Sequence, residues 1–349
     1  MDILIFILAL SILVLVHEFG HFFAARRTGV KVEEFGLGLP PRLFGKKIGD
    51  TTYSINLLPI GGFCKLYGED GDGKGNDSFN HKKPWQKMII VLGGVLMNLV
   101  LAIVIFSVVY GIMGVPKETD RVKIIGITKN SPAEQVGLKE GNIVLKVEGK
   151  QIKRPQELTA EVGKYKGKNV KLLISDNSIN KEIQIQVREN PPAGEGSMGI
   201  AISNTEMVKV PWYRFYEGIG AGFKEGYYWA KVIGGGVFTM IGGLFSGNVP
   251  KDVSGPIGMY EATTSIKNNQ GILALIHFFG VVSVNLAVVN ILPFPALDGG
   301  RIIFVLYEMI FKRKANQKFE MIVNNVGMIL LLGLILLITV GDVTRLIRR

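Results

Sequence analysis

Four stretches of the sequence are strongly apolar and read as membrane spans, and they alternate with segments that do not. The first runs from Ile3 to Ala25. At ~1.5 Å per helical residue it is ~34 Å long, against a hydrocarbon thickness of ~30 Å. Its amino end lacks the basic region of a secretory signal, holding only Asp2. Its apolar run carries histidine, glutamate and histidine instead of leading to a small-residue cleavage site. The second stretch is Met88 to Met113, with Gly93 and Gly94 suited to close helix packing and Asn98 as its one strongly polar residue. The third is Gly271 to Leu292 and the fourth Val326 to Val340.

Between them the pattern changes period. Residues 30–70 are punctuated by Gly36, Gly38, Pro40, Pro41, Gly45 and Gly49, then by TTYSINLLPIGGFCKLYG. Turn residues and β-branched alternation predict a small sheet or a re-entrant, membrane-associated β-hairpin. The loop EDGDGKGND at 69–77 is only superficially a calcium loop, since it lacks the closing glutamate. Residues 116–205 mix charges of both signs with short apolar runs, which predicts one α+β domain inserted between membrane segments. Within it SPAEQ reads as a short helix opened by Ser131-Pro132, Glu148-Gly149 as a hairpin turn, and KNVKLLIS, KEIQIQV and SMGIAI as strands. Residues 210–250 combine Trp212, Tyr213, Phe215, Tyr216, Tyr227, Tyr228 and Trp229 with many glycines. They predict an interfacial amphipathic helix near 210–232.

The expected class is therefore a polytopic α-helical membrane protein of about four transmembrane helices. Its divisions are a first membrane part (1–114), an inserted domain (115–205), an interfacial region (206–250) and a second membrane part (251–349). Composition agrees: 48% of residues are hydrophobic and the mean hydropathy is +0.30. The formal charge of +11 suits cytoplasmic loops and anionic headgroups. The basic residues form no arm or recognition helix, so no nucleic-acid partner is expected. A single cysteine, Cys64, excludes an internal disulfide framework. Lys and Arg concentrate after the first span and between the third and fourth, which puts those loops in the cytoplasm and the inserted domain outside it.

The chemistry lies in HEFGH, residues 17–21. His17 and His21 are one turn apart on one helix face and can share a tetrahedral zinc, with Glu18 as general base toward water. Three ionisable groups within a span cost on the order of 2.5–3.5 kcal/mol each, and a metal offsets that cost. Without one they would be an interfacial polar cluster. A catalytic zinc takes three protein ligands as a rule. Asp298, in PFPALDGG beyond the third span, is a candidate for the third; a helix cap is the other reading of an Asp before Gly-Gly.

HEFGH in the first span and NILPFPALDGGR in a late one together resemble the site-2 protease family of intramembrane metalloproteases, and its bacterial RseP-like branch in particular. GGVLMN (93–98), NLLPIGGFCKLYGE (56–69) and VSGPIGM (253–259) resemble recurring segments of that branch, and SPAEQVGLKEGNIVLKVEGKQI resembles its PDZ domain. The likeness covers nearly the whole chain. It implies zinc held by His17, His21 and Asp298, Glu18 as base, substrate backbone oriented by Asn285 and Asn290, and Asn98 lining the site. It also implies location in the bacterial cytoplasmic (inner) membrane with the PDZ-like domain extracytoplasmic. Substrates would be single-pass transmembrane proteins already trimmed by another protease, such as anti-sigma factors or remnant signal peptides. Better-studied members carry two PDZ domains, whereas this chain has room for one. The strand at 56–63, with Gly61 and Gly62, would unwind a helical substrate by pairing with it. Two other classes fit the sequence less well. A catalytically silent PDZ-bearing adaptor has no need of HEFGH and Asp298. A zinc permease needs polar positions through the second and fourth spans, which nearly lack them.

Overall fold

A computed structural model describes residues 2–69, 73, 75–176, 179–192, 194–245 and 255–347. It divides into two compact units, Met1–Ile112 with Trp212–Arg349, and Met113–Pro211.

The chain enters through α1 (Asp2–Arg27), whose first turn carries Asp2 and whose last carries Arg26 and Arg27, each sign matching the helix dipole. Strands β1 (Val32–Ile48) and β2 (Thr51–Leu66) follow. They are longer than a simple hairpin can hold and fold back on themselves. Phe35 pairs with Cys64 on one side and Tyr53 on the other, while Lys46 also pairs with Tyr53. A compact small sheet results, anchored to α1 where the Ser11 hydroxyl donates to the Pro59 carbonyl at 2.9 Å. Helix α2 (Pro84–Met113) crosses α1 at a glycine contact. A Cβ on Gly20 would lie 2.8 Å from the Gly94 nitrogen, and one on Gly93 2.6 Å from the Gly20 oxygen. Only hydrogen at these positions permits the approach, as small residues do generally between membrane helices.

The inserted unit opens with β3 (Val115–Ile127) and continues through α3 (Pro132–Gln135), β4 (Ile143–Val147), β5 (Lys150–Gln151), α4 (Pro155–Val162), β6 (Asn169–Asp176), β7 (Ile179–Gln186) and β8 (Ile200–Val208). The strands form one sheet in the order β7-β6-β4-β3-β8, with β5 on β4. On β6, Val170, Leu172 and Ile174 alternate inward, giving the period-two burial of a one-sided sheet. With Val122, Ile124, Val144 and Leu158 they make the core. Ser131 caps α3, its hydroxyl accepting the Glu134 N–H at 3.2 Å. Glu148 and Gly149 both have positive φ, as a two-residue type I′ hairpin requires.

The first unit resumes with α5 (Phe215–Phe245), α6 (Pro256–Gln270), α7 (Ile272–Asn290), α8 (Asp298–Phe311) and α9 (Gln317–Ile347). Among the described residues four helices are long and apolar enough to cross a membrane: α1, α2, α7 and residues 317–345 of α9. The α9 helix outruns the 326–340 expected from hydropathy, because its first turns are polar yet helical. The helix expected near 210–232 is also longer, continuing to Phe245. It packs against α2. Gly218, Gly222 and Gly226 form a flat stripe against α2, where a Cβ on Gly222 would meet Ser107 nitrogen at 2.9 Å. Beside the stripe Glu225 accepts from Tyr110 Oη (2.9 Å) and Trp229 Nε1 (2.7 Å) and lies 3.2 Å from His277 Nε2. The glycines, which weakened the hydropathy signal, are what allow the packing.

Residues of VSGPIGM gain a physical role here, although Val253 and Ser254 lie outside the described residues. Buried Asp342 of α9 accepts the backbone N–H groups of Gly255 (2.9 Å) and Gly258 (3.0 Å), capping α6 from a distant helix. The other end of α6 is tied to α1 by a Lys267–Asp2 ion pair at 2.5 Å. Phe6, Leu13, Leu275, Phe279 and Val282 fill the space among these helices.

Candidate metal centre and active site

His17 and His21 point from one face of α1 toward α2. Their Nε2 atoms are 3.2 Å apart. Asp298, the first residue of α8, brings Oδ2 to 3.1 Å from His17 Nε2 and 3.4 Å from His21 Nε2. The three ligand atoms lie within 4.8 Å of one another, and among the described residues no other His, Cys, Asp or Glu cluster could hold a metal. Asp298 does not cap α8: the N-cap is Leu297, whose side chain makes no cap hydrogen bond. The loop aims the carboxylate through its glycines, since a Cβ on Gly300 would lie 3.1 Å from the Phe294 carbonyl carbon.

The donor set fits a zinc ion. Asp298 Oδ2 is buried yet takes no hydrogen bond, which leaves its lone pairs available. His21 Nδ1 lies 2.9 Å from the Ile90 carbonyl. A carbonyl only accepts, so Nδ1 carries the proton and Nε2 presents its lone pair to the centre. His17 Nδ1 is 3.4 Å from the amide of Asn98, whose own oxygen has no partner. Turning that amide places the oxygen against Nδ1–H, satisfies the orphan and frees His17 Nε2 as a donor to metal. Asn98 is fully buried and held in turn by Ser283, whose hydroxyl donates to the Asn98 carbonyl at 2.8 Å.

A cavity of about 410 Å³ opens beside these atoms, lined by His17, Glu18, His21, Asn98, Asn290 and Asp298. Cys64 of β2 lines it too, and its backbone N–H reaches the Glu18 carboxylate. Of the other residues singled out in the sequence, Asn285 is not among the lining residues, and neither are Gly61 and Gly62. Those glycines lie along α1 instead. A Cβ on Gly61 would fall 3.8 Å from Val14, and one on Gly62 3.9 Å from Glu18 Cγ. The strand thus passes beside the would-be base.

Three residues at the site were not read as site residues from the sequence. Gly94 faces both imidazoles, leaving room for them that a methyl group would take. Glu69 and Arg301 form an ion pair across the cavity wall, and both also line a second cavity of about 230 Å³ bounded by Gln317, Glu320, Asn324 and Asn325 of α9. Arg301 stands one turn after Asp298, a spacing that was the available signal.

The model of peptidase family M50 matches residues 5–334. The chain belongs to peptidase family M50. It is similar to proteins provisionally named zinc metalloproteases: one of Clostridium perfringens is 35% identical over 347 residues, covering 98% of each chain. One of Clostridium acetobutylicum is 33% identical over 342 residues, covering 98% of this chain and 97% of that one. One of Fusobacterium nucleatum is 31% identical over 355 residues, covering 99% of each. As an M50 member the chain is a zinc-dependent protease of the site-2 type, built as a multi-pass membrane protein. Part of it is also similar to solved PDZ domains of SdrC-like proteins. The one from Listeria monocytogenes is 24% identical with a TM-score of 0.22, covering 24% of this chain and 87% of that one. The one from Listeria innocua is 22% identical with a TM-score of 0.22, covering 26% and 100%.

Proposed function

We propose that this M50 protease is an endopeptidase that cuts membrane-spanning segments of single-pass proteins, with zinc on His17, His21 and Asp298. The observation that carries the reading is the convergence of Asp298 Oδ2 with the two Nε2 atoms at 3.1 and 3.4 Å in a cavity that also holds Glu18. Zinc, when bound, supplies a Lewis acid that acidifies water and polarises the scissile carbonyl. The chain's own residues do the rest. Ile90 and Asn98 fix the tautomers of the two imidazoles. Glu18 takes a proton from water as it attacks and returns it to the leaving amine. Segment 61–65 offers main-chain groups beside Glu18, so an unwound substrate can pair with it as an added strand. Asn290 and Asn98 line the same cavity and would orient substrate amides; Asn285 lies on a different face of α7 from Asn290, and its substrate role rests on the family resemblance.

The substrates that fit this chemistry are transmembrane helices shortened beforehand by another protease, as in regulated intramembrane proteolysis of anti-sigma factors or clearance of remnant signal peptides. The inserted unit would act as a PDZ-like module outside the cytoplasmic membrane of a bacterium, admitting substrates stripped of large external domains. Co-expression with a tagged single-span substrate tests the reading. Wild type should cleave it, and Glu18→Gln should do so at least about a hundredfold more slowly while still holding zinc. Cleavage by Glu18→Gln at the wild-type rate would end the proposal. For the strand, paired Gly61→Pro and Gly62→Pro should abolish cleavage with zinc still bound, and unchanged cleavage would exclude strand pairing. Deleting residues 120–200 should widen substrate choice; total loss of activity would instead assign that unit a docking or structural role.

A further inference from the structure

A third cavity, of about 450 Å³, lies apart from the catalytic one, where α2 begins and α8 ends. Its lining is cationic: Lys82 comes from the α2 side, and Lys312, Arg313 and Lys314 from the α8 side. Among the described residues none of these four stands within ion-pair distance of a carboxylate. The one carboxylate in the lining, Glu308, is already engaged by buried Lys87 at 2.8 Å and by the Ala315 N–H at 3.4 Å. The C-terminal dipole of α8 accounts for a cation or two at its end, and Lys312 adopts the left-handed geometry that closes that helix. It does not account for Lys82, which arrives from another element.

Two further features identify the ligand. Trp85, 53% exposed, forms one wall, and indole rings favour the headgroup level of a bilayer. From it an exposed apolar stripe runs up α2 through Ile89, Leu96, Val100 and Val104. The cavity therefore stands at the end of a candidate span, beside an exposed apolar helix face. We propose that it binds the phosphate of an anionic phospholipid, with the acyl chain lying along the α2 stripe. Soluble phosphate shares the headgroup chemistry but makes no use of the stripe.

The test uses the full-length chain in detergent with equimolar phosphatidylglycerol and phosphatidylcholine, bound lipid being counted by native mass spectrometry. Wild type should retain phosphatidylglycerol in preference. The combined Lys312→Gln, Arg313→Gln, Lys314→Gln variant should bind it more weakly by on the order of a hundredfold, at roughly fivefold per cation. Lys82→Gln alone should lose about fivefold. Lys312→Arg with Lys314→Arg, which keeps the charge, should bind as wild type does, and a Lys164→Gln, Lys166→Gln, Lys168→Gln control in the inserted unit should change nothing. Equal retention of the two lipids by wild type, or undiminished retention by the triple variant, would overturn the proposal. So would inorganic phosphate binding as tightly as phosphatidylglycerol, since the site would then serve a soluble anion.

Discussion

Gly94 of α2 faces the His17 imidazole so closely that a Cβ there would lie 2.8 Å from its Nε2, and closer still to that of His21. The metal-binding face of α1 is thus shaped by a residue that donates nothing to it. Gly94→Ala should displace one imidazole, since overpacking of this kind costs roughly 1–3 kcal/mol. Zinc content measured on the purified protein should fall, and cleavage with it. Gly111→Ala, at a position on the same helix with nothing within 4 Å, should leave both unchanged.

Asp298 and Glu18 should separate in their effects. Asp298→Ala removes one of three candidate ligands and should lower zinc occupancy. Glu18→Gln keeps the size of the side chain and should leave occupancy unaltered while slowing turnover by about 10²–10⁴-fold. Metal analysis and single-turnover cleavage on the same preparations distinguish the two losses.

Asn98 reaches His17 from α2, 81 positions away in sequence. If its oxygen fixes the His17 tautomer, Asn98→Leu should weaken zinc by about 10–100-fold, measured by competition with a chelator. Ser283→Ala, which removes only the hydroxyl donated to the Asn98 carbonyl, should have a smaller effect.

These residues also mark how far the sequence could be read. HEFGH was legible because its ligands share one helix face, whereas Asp298 of LDGG read equally as a helix cap and stood out as a ligand through the family resemblance. Their convergence depends on a crossing of α1 with α2 that glycines permit but do not announce. Gly93 and Gly94 suggest close packing, but nothing in the local pattern names Gly20 as the partner. The Glu69–Arg301 pair joins positions 232 apart, and no local pattern links them. The packing of α5 was hidden for the opposite reason: its glycine stripe lowered the apolar signal while providing the flat face that packs on α2. In the inserted unit, alternation and turn residues announced strands and hairpin directly, because register there is set locally.

The Glu69–Arg301 pair stands between two cavities, and Cys64, the protein's one cysteine, lines the catalytic one. That makes the thiol a specific reporter. Glu69→Gln should loosen the partition and speed alkylation of Cys64 by a small hydrophilic reagent, followed by mass shift. An unchanged rate would mean that reagent enters by another path.

The inserted unit carries its own pH dependence. Glu161 is buried at its side chain and bridges Lys150 (2.6 Å) and Lys164 (2.8 Å). The hydrogen bonds from Lys150 and then Lys164 hold its carboxyl below the ordinary value of 4.5, against the opposing effect of burial. A carboxyl lowered in the folded state contributes stability that is complete above its unfolded value and is lost as pH falls through the lowered one. Glu161→Gln should therefore reduce protection of the Val170 and Leu172 amides at pH 7. The difference from wild type should shrink as pH falls below about 4.5 and vanish once the wild-type carboxyl is protonated. Hydrogen exchange on the full-length chain across that range measures it. A difference that persisted undiminished at low pH would mean that Glu161 acts through packing and not through its charge.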